Sequence, residues 1–370
     1  MKIGFDAKRT FYNESGLGNY GRSTIELLTG NFPMHEYLLF TTGTENSINL
    51  TIRDNTRIFK PRSWFDKKMK SYWRSFKLSK YIKENKLDVY HGLSNELPQN
   101  AHKTGAKIIV TIHDLIFIRF PELYSKVDRK IYHQKFKYAC EIADTIIAIS
   151  EQTKSDIVNF FGIDENKIEV VYQGCSPTFY NEAETSKKIE VIQKYNLPQN
   201  YILNVGTIEK RKRALNIVKA VDEGKIDIPV VIVGKSTNYQ KEIEDYISKN
   251  KLENQIFIKN NIPFSDFPAI YQQAKMFIYP SIFEGFGIPI IEALNSKIPV
   301  ITTKGGCFSE TGGFSSLYVE SDNTKELAEA IKNILNDKEL KRKMVKDGYK
   351  FVQKFREDVI ATNLMNVYLK

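Results

Sequence analysis

The sequence predicts an α/β protein made of two doubly wound domains, each built on a mostly parallel sheet. Its 370 residues exceed what one ordinary hydrophobic core contains, and they fit two domains of similar size. Short apolar runs alternate with longer amphipathic stretches, which is the pattern of strands separated by helices. This series starts twice along the chain, so we expect one sheet in each half.

Ten segments are predicted strands. In the first half they are Lys2–Asp6, Tyr37–Thr41, Val89–His91, Lys107–Ile112 and Thr145–Ile149; in the second half they are Tyr201–Val205, Val230–Val233, Ile256–Ile258, Met276–Tyr279 and Val300–Thr302. The polar stretch 181–200 separates the halves and predicts domains at 1–180 and 181–354. Because ligands of open α/β sheets bind beyond the carboxyl ends of the strands, we expect two such sheets to leave a binding cleft between those ends.

The composition is that of a globular protein, with 42% hydrophobic and 26% charged residues. No window of eighteen apolar residues occurs, and the N-terminal segment reads as a first strand rather than as a secretory signal. The three cysteines, Cys140, Cys175 and Cys307, share no metal-ligand spacing, so we expect a reducing, cytoplasmic location without disulfides or zinc. A net charge of +10 favours an anionic partner.

A glycine-rich segment, Ser15–Gly21, contains the spacing G-x-G-x-x-G at Gly16, Gly18 and Gly21. A dinucleotide-binding fingerprint begins where the first strand ends, and here that strand ends about eight residues earlier. No acidic residue closes the second strand either, so we reject NAD binding. Two interpretations stay open: a flexible turn leading into a helix from about Asn19, or a loop whose bare backbone approaches a ligand.

The strongest signal lies between Glu284 and Glu292. A strand ends at Tyr279, a turn with Gly285 and Gly287 follows, and Pro289 suits the first turn of a helix that starts near Ile288. Exposed amides at a helix N-terminus attract phosphate, whereas carboxylates accept hydrogen bonds from vicinal hydroxyls. We therefore expect a nucleotide sugar here, with Glu284 toward the sugar and Glu292 toward the ribose. The alternative is a helix cap followed by a solvated acid, which suits the apolar surroundings of Glu292 poorly.

The segment EGFGIPIIE at 284–292 resembles the E-x7-E motif of retaining glycosyltransferases of family 4, which have the GT-B fold. Seven other segments follow the order of that family: KIGFDAKRTFYNESGLGNY, DVYHGLSNELP, TIHDLIFIRFPE, IIAISEQTKSDI, VVYQGCSPTFY, NVGTIEKRKRALNIVKA and GGCFSETGG. The chain departs from the family's usual residues at Thr207, Arg213 and Lys297.

The resemblance implies two Rossmann-like domains that face each other across a cleft, with a last helix at about 355–370 crossing back to the first. It implies an acceptor-binding first domain and a nucleotide-sugar-binding second domain. It also implies the donor-binding residues, namely Gly16, Gly18, Gly206, Gly285, Phe286, Gly287, Ile288 and Glu292. Glu310 in GGCFSETGG would orient a loop near the phosphates.

Two groups of residues at strand ends are candidates for catalysis beside Glu284. Arg211 and Lys212 follow the strand that ends at Val205, and fixed cations there would stabilise charge on a departing diphosphate. A run such as KRKR is more often a solvated surface, but its position after a strand and the resemblance favour function. His113 ends another strand, and the resemblance implies that it positions the sugar. His91 is a weaker candidate, and Ser150 with Glu151 is predicted to cap a helix.

We expect no metal ion and no other cofactor. The chain contains no D-x-D sequence, and no cluster of His, Cys and carboxylates has ligand spacing. A helix N-terminus together with Arg211 and Lys212 can neutralise a diphosphate in place of Mg²⁺.

Residues 57–86 contain eleven Lys or Arg and two acids, with interleaved aromatic residues at Trp64, Phe65, Tyr72, Trp73, Phe76 and Tyr81. Phe65, Met69, Tyr72, Trp73 and Phe76 have helical spacing. One interpretation is an amphipathic helix packed on the first sheet; the other is a patch on an anionic membrane. Both can hold for different faces of one helix. No nucleic-acid motif accompanies the basic residues.

Together these features predict a retaining, metal-independent glycosyltransferase in cell-surface polysaccharide synthesis. It would move a hexose from GDP-mannose or a UDP-hexose to a hydroxyl of a glycan or lipid-linked acceptor. A nucleotide-sugar epimerase of the same fold and a non-catalytic nucleotide-sugar-binding subunit are the alternatives. The residues do not distinguish the two donor types, and they identify neither the acceptor nor the oligomeric state.

Overall fold

The computed structural model describes residues 1–13, 15–43 and 50–370, and these divide into two compact units. The first unit comprises Met1–Gln173 and Glu357–Lys370, and the second comprises Gly174–Arg356. Each unit is built on one sheet in which neighbouring strands are parallel. The predicted α/β class with two parallel-sheet domains is therefore confirmed.

The sheet of the first unit has the order β3-β2-β1-β4-β5-β6-β7 in the described part of the chain. Its strands are β1 Lys2–Asp6, β2 Glu36–Phe40, β3 Thr56–Phe59, β4 Val89–Gly92, β5 Lys107–Ile112, β6 Thr145–Ala148 and β7 Ile168–Val170. The α-helices are α1 Lys8–Tyr12, α2 Gly16–Asn31, α3 Trp64–Lys68, α4 Lys70–Tyr72, α5 Leu78–Glu84, α6 Ile116–Arg119, α7 Lys126–Ile142 and α8 Glu151–Phe161.

The sheet of the second unit has the order β10-β9-β8-β11-β12-β13. Its strands are β8 Ile202–Val205, β9 Val230–Val233, β10 Ile256–Lys259, β11 Met276–Tyr279, β12 Val300–Thr303 and β13 Leu317–Val319. The α-helices are α9 Thr185–Tyr195, α10 Ala214–Glu223, α11 Tyr239–Asn250, α12 Phe267–Gln273, α13 Ile288–Asn295, α14 Phe308–Gly312, α15 Thr324–Asn336 and α16 Lys338–Val352.

The last helix, α17 at Glu357–Leu369, belongs to the first unit. Its residues Leu364 and Met365 are buried in the same core cluster as Ile25 and Leu28 of α2. The hydroxyl of Tyr368 also lies 2.6 Å from the His91 ring at the end of β4. The C-terminal helix therefore completes one face of the first sheet.

Adjacent residues of the strands serve two core clusters, as the period of two in a strand requires. Ile109 packs on the side of α2 and α17, whereas its neighbour Val110 packs with Phe136 of α7 and Ile157 of α8. Both faces are covered, which explains why the strands read as continuous apolar runs. Among the described residues, no helix is long and apolar enough to cross a membrane.

The three strands that the sequence analysis missed, β3, β7 and β13, all lie at an edge of their sheet. They have three or four residues each, and most of these residues are only partly buried. Edge strands carry charged residues more readily than central ones, as Arg57 and Glu169 do here. A short strand with one covered side leaves too weak an apolar pattern to be recognised.

The glycine-rich segment is helical from Gly16, so the first of its two interpretations, a flexible turn leading into a helix from about Asn19, is wrong. Gly18 and Gly21 let α2 pack closely on the preceding chain. A Cβ at Gly18 would lie 1.7 Å from the Asn13 carbonyl oxygen, and one at Gly21 would lie 2.4 Å from the Thr10 hydroxyl. Gly16 is exposed, and a Cβ there would meet nothing within 4 Å, so packing does not explain its glycine.

Each sheet has a point where the strand order reverses, between β1 and β4 in the first unit and between β8 and β11 in the second. The loops that follow two such neighbouring strands diverge and leave a crevice beyond the carboxyl edge of the sheet. The candidate residues of the second unit follow these strands, because Arg211 and Lys212 come after β8 and Glu284 comes after β11.

Candidate active site

Glu284 forms the centre of a buried ion cluster in the second unit. Its carboxylate oxygens lie 2.8 Å from the Arg211 guanidinium and 2.5 Å from the Lys212 ammonium. Only 11% of the Glu284 side chain is exposed. The structure thus brings Glu284 together with Arg211 and Lys212, which the sequence analysis named as a separate group.

The cluster also includes Tyr279, the last residue of β11. Its hydroxyl donates to Glu284 at 3.2 Å and accepts from the Lys212 ammonium at 2.5 Å. Burial alone would raise the pKa of Glu284, but the charges of Lys212 and Arg211 outweigh it and lower the pKa to about 2. Glu284 is therefore ionised at every physiological pH.

Two further contacts fix Arg211 in place. Its guanidinium donates to the Phe283 carbonyl at 2.5 Å and to the Glu209 carboxylate at 2.6 Å. The backbone of Ile282 donates to the Arg211 carbonyl at 2.9 Å. The loops after β8 and β11 are thus joined by both backbone and side-chain contacts.

The turn before α13 and the start of that helix at Ile288 lie where the sequence predicted them. Gly287 adopts a positive φ of 112° directly before the helix, where a side chain would be strained. Pro289 lies in the first turn of α13. The thiol of Cys307 donates to the Phe286 carbonyl at 2.8 Å and to the Glu284 carbonyl at 3.3 Å. These hydrogen bonds fix the backbone of the turn.

Glu292 lies inside α13 and differs from Glu284 in its surroundings. It is buried, and its carboxylate accepts a hydrogen bond of 2.8 Å from the Tyr271 hydroxyl. Burial raises the pKa of Glu292 to about 7, against a smaller opposing effect of Tyr271. Its carboxylate is therefore about half protonated near neutral pH.

In the first unit, His113 follows β5 and is buried. Its Nε2 donates to the Leu93 carbonyl at 2.9 Å, and its ring meets Tyr20 edge-on at 4.7 Å. Burial lowers the pKa of His113 to about 4, so the ring is neutral at physiological pH. This environment suits a positioning residue better than a charged one.

His91 has a structural explanation. Its two ring nitrogens lie 2.6 Å from the Tyr368 hydroxyl and 2.7 Å from the Thr111 hydroxyl, and the side chain is fully buried. Burial lowers the pKa of His91 to about 3. This histidine therefore connects α17 to the sheet.

Ser150 caps α8, as predicted, by accepting the Thr153 amide at 3.0 Å. The remaining predicted residues lie near the ends of strands or helices. Gly206 directly follows β8 with a positive φ of 151°, and Glu310 lies in α14.

All three cysteines are buried and free. In the described part of the chain, no three His, Cys, Asp or Glu side chains are grouped so that they could bind a metal ion.

The structure adds residues that the sequence analysis missed, namely Tyr279, Tyr271 and Cys307. Tyr279 could have been found, because it ends the strand that leads to Glu284. Tyr271 and Cys307 lie on other elements, α12 and the loop after β12, and no local pattern indicates that they contact Glu292 and the turn.

Segment 57–86 presents two faces. Trp73 is buried against Tyr81, as the packed-helix interpretation requires. Five apolar side chains nevertheless lie at the surface, Trp64, Phe65, Met69, Tyr72 and Phe76, with exposed fractions of 41% to 71%. The Tyr72 ring contacts the rings of Phe65 and Phe76, with centroids 6.2 and 5.1 Å away. We call these five residues the aromatic surface.

Two family models match the chain in succession. The model described as "Glycosyltransferase Family 4" matches residues 22–179, and the one described as "Glycosyl transferases group 1" matches residues 186–351. Together they span most of the chain. The protein therefore belongs to the group 1, family 4 glycosyltransferases, as the sequence motifs indicated.

Individual relatives agree with this assignment. The chain is 26% identical over 293 residues to O-antigen chain mannosyltransferase B of Escherichia coli, covering 78% of this chain and 75% of that protein. A glycosyltransferase structure from Rickettsia africae superposes with a TM-score of 0.76 at 20% identity, covering 99% and 97% of the two chains. HepE of Anabaena, solved with UDP and glucose, superposes with a TM-score of 0.74 at 16% identity, covering 100% and 99%. The fold is accordingly GT-B.

Proposed function

We propose that the protein transfers a hexose from a nucleotide diphosphate sugar to a hydroxyl of a glycan or lipid-linked acceptor, with retention and without a metal ion. The observation that carries this proposal is the buried cluster of Glu284, Arg211 and Lys212 beside the N-terminus of α13. Buried charges of this kind, at the strand-order reversal of a doubly wound sheet, are typical of a ligand site.

The cluster has donors left over for a diphosphate. The Lys212 ammonium has three N–H groups, of which two donate hydrogen bonds to Glu284 and Tyr279. The Arg211 guanidinium has five, of which three are used by Phe283, Glu284 and Glu209. The remaining N–H groups can stabilise the negative charge that grows on the β-phosphate as the sugar leaves.

Glu284 can serve the sugar at the same time. A carboxylate offers about four lone-pair sites, and Arg211, Lys212 and Tyr279 occupy three. The remaining site can accept a hydrogen bond from a hydroxyl of the donor sugar. Two fixed cations prevent the carboxylate from turning away, which preorganises it for the substrate.

Glu292 is the proposed ribose ligand. Its partly protonated carboxyl has a single side-chain partner among the described residues, Tyr271, so vicinal hydroxyls would supply the missing hydrogen bonds. The backbone around Gly206 and along Gly285, Phe286, Gly287 and Ile288 would contribute donor contacts.

The proposed reaction needs no protein nucleophile. As the family resemblance implies, the acceptor hydroxyl attacks the face of the sugar that the diphosphate leaves, and the leaving phosphate takes up the proton of that hydroxyl. Arg211 and Lys212 would then neutralise the leaving group in place of a metal ion. A neutral His113 would position the sugar without acting as the base.

The acceptor proposal draws on the relatives and on segment 57–86. An O-antigen chain mannosyltransferase is among the relatives, which supports mannose as one donor sugar and surface polysaccharide as the product. The complex of HepE with UDP and glucose supports a UDP-hexose equally. The aromatic surface, surrounded by Lys67, Lys68 and Lys70, would dock on the anionic cytoplasmic face of a membrane, where a lipid-linked acceptor is found.

A thermal-shift screen against GDP-mannose, UDP-glucose, UDP-galactose, GDP and UDP tests the donor class, because a ligand that binds the folded state raises the melting temperature. We expect one nucleotide series to stabilise the native protein. Incubation with the stabilising donor alone should leave the sugar configuration unchanged, whereas an epimerase would convert it without any acceptor. Absence of stabilisation by every nucleotide would contradict the proposal.

A further inference from the structure

A cavity of about 380 Å³ lies in the first unit at the reversal of its strand order. Lys8 and Arg9 of α1 line it from beyond β1, and Glu96 lines it from beyond β4. Arg74 and Lys135 reach it from segment 57–86 and from α7. Crevices at this position of doubly wound sheets bind ligands, and Glu284 and the residues around it already occupy the equivalent position of the second unit.

The charges around this cavity do not balance. Arg74 is held 2.6 Å from Asp6 and 2.6 Å from Glu96, and Lys135 shares Glu96 at 3.4 Å. Lys8 and Arg9 make no ion pair with a carboxylate of the described residues. Four cations thus face two carboxylates, and the two that form no ion pair both lie on α1.

The surplus cations are not simply solvated surface charges. Lys8 and Arg9 are both partly buried. Burial and then the nearby charge of Arg74 lower the pKa of Lys8, and they outweigh the opposing charges of Asp6 and Glu96. A bound anion carrying two negative charges would relieve this repulsion. Ser71 and Ser75, which also line the cavity, add hydroxyl groups of the kind that bind phosphate oxygens.

The cavity lies next to the aromatic surface. Ser71, Arg74 and Ser75 line the cavity at spacings of three and four residues, which is one stripe of a helical segment. Tyr72 and Phe76 follow Ser71 and Ser75 by one residue each and form the adjacent, exposed stripe with their rings stacked. If an anionic group bound in the cavity, an apolar chain attached to that group would therefore lie against the aromatic surface.

We propose that Lys8 and Arg9 bind the phosphate or diphosphate group of the acceptor and that Tyr72 and Phe76 contact the lipid chain attached to it. This assignment rests on the proposed function, because it names the acceptor class of the same enzyme. Arg74 adds a third cation to the cavity wall, where Asp6 and Glu96 fix its guanidinium. The sugar-free end of the acceptor would thus be recognised by charge and apolar contact together.

Isothermal titration with three probes tests the proposal: methyl phosphate, octyl phosphate and octyl glucoside. They carry phosphate alone, phosphate with a chain, and a chain without charge. The variants are K8Q/R9Q, Y72S/F76S and a charge-matched control, K103Q/K154Q, whose two lysines lie in the first unit away from the cavity and form no ion pair with a described carboxylate. UDP and GDP are titrated into each protein in parallel.

We expect K8Q/R9Q to weaken both phosphate probes roughly tenfold or more, because two charge-assisted contacts are lost. The control should bind them like the native protein, and Y72S/F76S should weaken octyl phosphate but not methyl phosphate. Octyl glucoside should bind more weakly than octyl phosphate throughout. If the proteins bind the phosphate probes as expected but none of them binds UDP or GDP, only the proposed function is contradicted, since the phosphate probes report on the first unit.

Three results would overturn the proposal. The first is that neither phosphate probe binds the native protein. The second is that K8Q/R9Q binds both phosphates like the control. The third is that Y72S/F76S binds octyl phosphate like the native protein, in which case the acceptor phosphate is soluble rather than lipid-linked. Nucleotide binding that persists in K8Q/R9Q in any of these cases leaves the donor site, and hence the proposed function, intact.

Discussion

The Tyr271 hydroxyl donates a hydrogen bond of 2.8 Å to the buried carboxyl of Glu292, and no cation of the described residues forms an ion pair with that carboxyl. Glu284, eight residues earlier, lies between two cations instead. The two glutamates of one motif therefore have pKa values on opposite sides of the usual value, about 7 and about 2. This difference has measurable consequences for stability and for binding.

Replacing Glu292 by Gln should stabilise the protein at alkaline pH. The native carboxyl has a pKa of about 7, whereas the same group ionises near 4.5 in the unfolded chain. Between these values the folded protein holds a proton that the unfolded chain releases, so a rise in pH favours unfolding by up to about 3 kcal/mol. Gln carries no charge and still accepts from Tyr271, so this loss should disappear.

The measurement is denaturant unfolding of the native protein, E292Q and the exposed control E253Q at about pH 5 and about pH 8. The difference in unfolding free energy between E292Q and native protein should become more positive at the higher pH, while E253Q shows no such trend. A difference that stays constant with pH would mean that Glu292 is ionised in the folded protein.

Replacing Glu284 by Gln should destabilise the protein at neutral pH by about 3 kcal/mol, since Arg211 and Lys212 would stay buried without their common partner. The pKa of Glu284 lies below its unfolded value, so the stabilisation is present above about pH 4.5 and is lost as the pH falls toward 2.

Replacing Glu284 by Gln also frees both cations for a diphosphate. Nucleoside diphosphate should therefore stabilise E284Q at least as much as the native protein, and weaker stabilisation would contradict the cluster as the diphosphate site.

Transfer activity should persist in EDTA. Lys212 and Arg211 have unused N–H groups with which to neutralise a diphosphate, so a divalent cation has no necessary part. The assay follows release of nucleoside diphosphate from the donor in the presence of acceptor, before and after chelation. Complete loss of activity that Mg²⁺ or Mn²⁺ restores would refute the metal-independent proposal.

The protein should bind anionic liposomes at low salt and release them as salt rises. Each lysine near an anionic surface contributes about 1 kcal/mol, and the attraction is screened over about 8–10 Å at ordinary ionic strength. Changing Lys67, Lys68 and Lys70 to Gln should reduce co-sedimentation, whereas changing the exposed Lys241, Lys249 and Lys343 of the second unit should not. Arg74 is unsuitable for this test, because it is held by Asp6 and Glu96 inside the cavity wall. Equal binding by both triple variants would exclude the segment as the membrane contact.

The central strands of both sheets were predictable because each is a continuous apolar run, covered on both faces. Lys107–Ile112 and Val230–Val233 have the predicted bounds for this reason. Strands β3, β7 and β13 were not predicted, since an edge strand with few buried residues has no such run. The start of α2 was also missed, because glycines that normally favour a turn here allow close helix packing, as Gly18 shows against Asn13.

The residues of the donor site were predictable one at a time, but their association was not. Arg211 and Glu284 are 73 positions apart, and only the parallel pairing of β8 with β11 brings them into contact. Two departures from the family pattern acquire a backbone explanation. Lys297 and Arg213 adopt positive φ values of 58° and 51°, where Gly or Asn is more easily accommodated.

The most direct test of the nucleotide-sugar site is titration of the stabilising nucleoside diphosphate, UDP or GDP, into the native protein, E292A, E284A and the exposed control E253A. Loss of a charge-assisted hydrogen bond to the ribose costs about 1.5–3 kcal/mol, so we expect E292A to bind roughly tenfold or more weakly. E284A should bind the nucleotide but lose transfer activity, and E253A should behave like the native protein. Unchanged nucleotide affinity in E292A together with unchanged turnover in E284A would contradict the site.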